Sequence, residues 1–167
     1  MRNRFFVFSF ALLGAAIFAA SAIGHRGSSA ATCTSGIAAT TTASYRMALD
    51  IGKQENMYLP SEVKARHLKT GEIMLGGEMA MVSPTAGTRV YHLEVHICNM
   101  AGLVVTNLKP TIVVGTAMLP SATMVGIGSP HSDYHYGNDI ALKPGARVTV
   151  KVTVRGQLAV FHATVPK

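Results

Sequence analysis

Beyond residue 45, apolar and polar side chains alternate along most of the chain, the period of strands with one buried face. Arg147–Val154 is the clearest case: Val148, Val150, Val152 and Val154 share one face, and Arg147, Thr149, Lys151 and Thr153 the other. Lys143-Pro144-Gly145-Ala146 is the turn before it and Arg155-Gly156-Gln157 the turn after it, so 158–163 returns as a hairpin arm. The same reading gives strands at 72–82, 90–98, 104–108 and 111–115, the first two joined by a hairpin loop at 83–88. Shorter versions of the pattern lie at 47–51, 124–127 and 139–142. Residues 61–66, following Pro60, are expected to form a short helix. Some seven short strands at this spacing predict an all-β fold, an immunoglobulin-like antiparallel β-sandwich.

The first 44 residues do not follow this pattern. Arg2 and Arg4 precede an apolar run from Phe5 to Ala20, and Ala20-Ser21-Ala22 offers a small-residue cleavage site. Residues 1–22 therefore read as a signal peptide, which implies an exported protein of the periplasm or cell envelope, or a secreted one. Residues 23–44 hold a tract of Ser, Thr and Ala with little to bury, and are expected to be a flexible linker. Residues 45–167 remain as one β-sandwich metal-binding domain.

Composition excludes more than it proposes. The formal charge is +7, but the basic residues are scattered and no aromatics interleave with them, so no nucleic-acid partner is expected. There is no G-x-S-x-G elbow, no phosphate loop and no H-E-x-x-H, so the chain does not read as an enzyme.

The chemistry concentrates in Tyr91-His92-Leu93-Glu94-Val95-His96-Ile97-Cys98. On a strand, Tyr91, Leu93, Val95 and Ile97 would face the core, which leaves His92, Glu94, His96 and Cys98 in a row on the other face. Two imidazoles, a carboxylate and a thiol are metal-ligand types. A second cluster, His131-Ser132-Asp133-Tyr134-His135-Tyr136-Gly137-Asn138-Asp139, reads as a loop entering a strand and could bring His135 to the same ion. Met79 and Met81 share a face of the preceding predicted strand, where a thioether could ligate, and Glu78, between them and Gly77, lies on the opposite face. Cys33 and Cys98 are the two cysteines; Cys98 can be a ligand, a core thiol or the disulfide partner of Cys33.

Three pieces, Gly77-Glu78-Met79-Ala80-Met81-Val82, Tyr91-His92-Leu93-Glu94 and His135-Tyr136-Gly137-Asn138-Asp139-Ile140, resemble the exported copper-binding proteins that accompany bacterial iron permeases. The resemblance spans roughly residues 72–154. It implies a periplasmic immunoglobulin-like domain, copper held partly by His135, a membrane iron permease as partner, a homodimer, and a Glu from an earlier strand, for which Glu78 is the candidate. Tyr91 stands where that family has Met, and Cys98 where it has His, so either Cys98 replaces the histidine or His96 takes over with a shifted register.

The expectation is therefore an exported protein that binds a transition metal, copper first and iron or zinc next, for uptake or handling. His135, His96, Cys98, His92, Glu78 and Met79 are the candidate ligands, with Glu94, Tyr91, His131 and Asp133 around them. The rival readings are an immunoglobulin-like interaction domain without metal, and a copper chaperone of another β-sandwich family.

Overall fold

Alternation becomes strand nearly everywhere it was expected, and the strands form two facing sheets of an all-β sandwich. The computed structural model describes residues 33, 34, 36–129 and 131–167; the expected signal peptide, 1–22, lies outside them. The strands are β1 (Ala38–Thr41), β2 (Tyr45–Lys53), β3 (Met57–Tyr58), β4 (Glu72–Gly76), β5 (Arg89–Asn99), β6 (Thr111–Val114), β7 (Ala117–Leu119), β8 (Ala122–Gly126), β9 (His135–Leu142), β10 (Arg147–Val154) and β11 (Gln157–Thr164). The larger sheet runs β1-β2-β5-β9-β8-β4-β3 and the smaller β11-β10-β6-β7. Pairing is antiparallel except between β3 and β4.

The core lies between the sheets. Met47, Leu49 and Ile51 of β2 and Leu93, Val95 and Ile97 of β5 meet Ile112, Val150, Val152 and Phe161 of the smaller sheet, all within 3% of full burial. Truncating such a residue to Ala costs roughly 2–5 kcal/mol. The one helix, α1 (Pro60–Arg66), starts with Pro at its first turn, and the Glu62 carboxylate accepts the Leu59 N–H at 2.8 Å. It packs beside β4.

Four expectations need correction. The strand expected at 72–82 stops at Gly76, because Gly77 takes φ 89° and turns the chain out of the sheet. β4 then pairs with β8 rather than β5, so 83–88 is a longer connection and not a hairpin loop. Segment 104–108 forms only an isolated bridge, Cys98 to Val104. Tyrosine hydroxyls bind its backbone instead: Tyr136 donates to Val105 O at 2.7 Å and accepts from Leu108 N at 3.1 Å, and Tyr134 donates to Thr106 O at 3.2 Å.

The fourth concerns the expected linker at 23–44, whose described part is ordered. β1 pairs with β2, Ala38 against Leu49 through Thr41 against Arg46, and Cys33 is joined to Cys98 in a disulfide. Composition alone misses both causes, a free strand edge and a covalent tie. Closing a 65-residue separation removes about 4 kcal/mol of unfolded-chain entropy.

Candidate metal centre

Register brings the ligands together. On β5, His92, Glu94 and His96 point away from the core, opposite Leu93, Val95 and Ile97. β9 lies beside β5 with His92 against Asp139 and Glu94 against Gly137, so His135, two residues before Gly137, projects on the same side. β8 and β4 continue that face with Met124 against His135 and Glu72 against Gly126. On β2, Asp50 stands against Glu94.

This face is nonetheless buried. His92, His96 and His135 are exposed by no more than 1%, Glu72 by 8% and Asp139 by 4%. Gly137 lets β9 approach: a Cβ there would strike the Leu93 carbonyl. At Gly126, an added Cβ would meet Ser129 Oγ at 2.5 Å and Asp133 Oδ2 at 2.7 Å, so these two side chains close over this face.

The imidazoles are individually oriented. His92 Nδ1 lies 3.0 Å from Asp139 Oδ1, and His135 Nδ1 lies 2.8 Å from the Asp133 carbonyl. His96 Nε2 lies 3.3 Å from Glu94 Oε2. His135 Nδ1 is 4.0 Å from the same Glu94 oxygen, and His135 Nε2 is 3.7 Å from Glu72 Oε2. The His92 and His135 Nε2 atoms are 3.5 Å apart. Glu94, His96 and His135 each offer a ligand atom, all within 4.8 Å of one another. Among the described residues, Glu72 Oε2 and His96 Nδ1 are the buried side-chain atoms without a hydrogen-bond partner, and both belong here.

Burial and charge divide the titrating groups. Burial, aided by repulsion from Glu94, pushes Glu72 up to about 7. Burial also acts to raise Glu94, but its bond with His96 and the nearby imidazoles outweigh it and hold the carboxyl at about 2. Burial opposes charge on His92 and His96, yet Asp139 and Glu94 respectively raise both. His135, pressed between burial and two other imidazoles, is lowered. Asp50 is raised, by burial first and then by Glu94.

Of the residues named from sequence, His92, His96 and His135 meet, with Glu94 a donor rather than a bystander and Asp133 orienting His135 through its carbonyl. Cys98 is tied to Cys33, which removes the thiolate a metal would need. Glu78 and Met79 are exposed on the segment held by Asn138, whose side chain takes the Ala80 N–H at 2.9 Å and donates to Glu78 O. Asn138 alternates with His135 and Asp139 along β9, so these residues approach from its other face. Tyr91 faces the core side, its hydroxyl donating to Pro166 O at 2.8 Å, and His131 is exposed against the Tyr134 ring.

Sequence reasoning missed Glu72, Asp139 and Asp50. Alternation from His135 through Gly137 would have found Asp139 once the strand was started early enough. Glu72 and Asp50 required the strand order. No family model, curated protein or solved structure matches this chain.

Proposed function

We propose that the chain is an exported protein that binds a divalent transition-metal ion, copper(II) first, for metal uptake or handling, and acts as a binding protein without turnover. The observation that carries this reading is the group Glu94, His96 and His135, whose donor atoms lie within 4.8 Å of one another. Neutral imidazoles with a carboxylate suit Cu(II), Zn(II) and Fe(II), and Cu(II) binds such donors most tightly. With Cys98 oxidised, the set lacks a thiolate, so it favours Cu(II) over Cu(I). The surroundings agree: Asp50, Glu72, Glu94, Asp133 and Asp139, five of the eight acids in a basic chain, act on these histidines. His92 has the second-sphere carboxylate typical of metal-ligating histidine, Asp139 at 3.0 Å. The disulfide suits an oxidising compartment.

Metal analysis of protein purified without chelator, followed by titration with copper(II) and zinc(II), tests the reading. Stoichiometric binding that is lost in His135→Ala supports it. A chain that takes up neither ion discards it.

A further inference from the structure

The orientation of two histidines points past the Glu94–His96–His135 group. A ring nitrogen facing a carboxylate or a carbonyl must donate, because those oxygens only accept. His92 Nδ1 faces Asp139 Oδ1 at 3.0 Å, and His135 Nδ1 faces the Asp133 carbonyl at 2.8 Å. In the neutral rings the lone pair is therefore on Nε2 in both. These two atoms confront each other at 3.5 Å. Glu72 Oε2 lies 3.7 Å from His135 Nε2, buried and without a hydrogen bond. His92 Nε2 and Glu72 Oε2 thus both face the one lone pair of His135; once all three groups are deprotonated nothing there donates, and a cation in place of the protons would satisfy them.

The spacing fits such a cation. Two nitrogens bound to one tetrahedral ion at about 2.0–2.1 Å lie about 3.4 Å from each other. We propose that Glu72 Oε2, His92 Nε2 and His135 Nε2 form the seat of the ion, distinct from the Glu94–His96–His135 group. This deepens the metal-binding reading and rests on it. His135 has one lone pair, already aimed at His92 and Glu72, so the two positions compete and one ion binds per chain. Asp139 and the Asp133 carbonyl are positioning groups that fix the tautomers. Glu94, whose side chain is 23% exposed against 11% for Glu72, lies on the solvent side of the seat.

Zinc titration of the full chain by calorimetry, with Glu72→Gln, His92→Gln, Glu94→Gln and His96→Gln, tests the assignment. Imidazole nitrogen spectra with and without zinc provide a readout on the unsubstituted chain. The expected result is one zinc per chain, a tenfold or greater loss of affinity in Glu72→Gln and His92→Gln, a smaller loss in the other two, and a zinc-induced shift at Nε2 of His92 and His135. If wild-type protein binds zinc and the first two variants bind as well as it does, the seat is wrong while metal binding stands. If all four variants lose affinity equally or fail to fold, the wild-type spectra decide: a shift at His92 Nε2 supports the seat, and its absence overturns it. If wild-type protein binds neither zinc nor copper, the seat falls with the metal reading itself.

Discussion

The outward faces of the two sheets carry the same alternating code and end in opposite environments. On the smaller sheet, Lys151 of β10 and Val160 and His162 of β11 face solvent, and His162 Nδ1 pairs with Thr149 Oγ1 at 3.2 Å on the surface. On the larger sheet, His92 and His96 occupy equivalent outward positions but are sealed among carboxylates. One histidine is a solvated surface residue; the others have lost water and depend on neighbours for every polar contact. Polarity at alternate positions therefore marks the face turned from the core, and says nothing about whether that face is wet.

The largest expected effect comes from cutting the tie that holds chain onto the dry face. Replacing both Cys33 and Cys98 by Ser should lower stability by about 4 kcal/mol, read from urea melts against wild type. A loss below 1 kcal/mol would mean that this segment hardly restrains the unfolded chain. Next, Gly137→Ala should cost about 1–3 kcal/mol, since its methyl group meets the Leu93 carbonyl, and should weaken metal binding by moving β9 from β5. Unchanged thermal melts and unchanged titration would show that the two strands can part at no cost.

The direct contrast is His135→Ala with His162→Ala. The first should lower metal affinity tenfold or more, about 1.4 kcal/mol, with the fold retained by circular dichroism. The second should leave affinity alone and change stability by less than about 0.5 kcal/mol. Equal effects in the titration would erase the distinction between the two faces.

The smallest effect is a slope with pH. Glu72, raised to about 7 from 4.5, holds a proton in the folded state that the unfolded chain has released, and His92 and His96 do the same above 6.5. His135, lowered, acts in the opposite direction as pH rises through 6.5. Asp50, also raised, adds to the fall, while Glu94, held at about 2, opposes it only around and below 4.5, so chelated protein is expected to lose stability as pH climbs from 4.5 through about 7. Zinc should reverse the slope, because its ligands must be deprotonated. Melts at four pH values with chelator and with zinc would reveal it; rising stability in chelator would mean the buried groups titrate as if solvated.

These contrasts show what could be read in advance. Arg147–Val154 was legible to the residue because both of its faces meet ordinary surroundings. His92, Glu94 and His96 were legible as a row because alternation is local. Glu72 was not: it reaches His135 only because β8 lies between β4 and β9, an order set by packing rather than by neighbouring residues. The 33–44 segment was misread because a Ser/Thr/Ala composition carries no trace of a disulfide made 65 residues away.

The disulfide also divides the domain topologically. Residues 33–98 become a covalent ring, and that ring contains Asp50, Glu72, His92, Glu94 and His96. His135 and Asp139 arrive from the tail beyond it, on a strand inserted between β5 of the ring and β8. A single nick in the exposed 83–87 stretch would open the ring but leave its pieces linked until reductant is added, whereas a nick at the 143–146 turn would leave β10 and β11 held only non-covalently, by pairing with β6 and by the core. An ion at the proposed seat would act as a clasp, fastening ring to tail through His135.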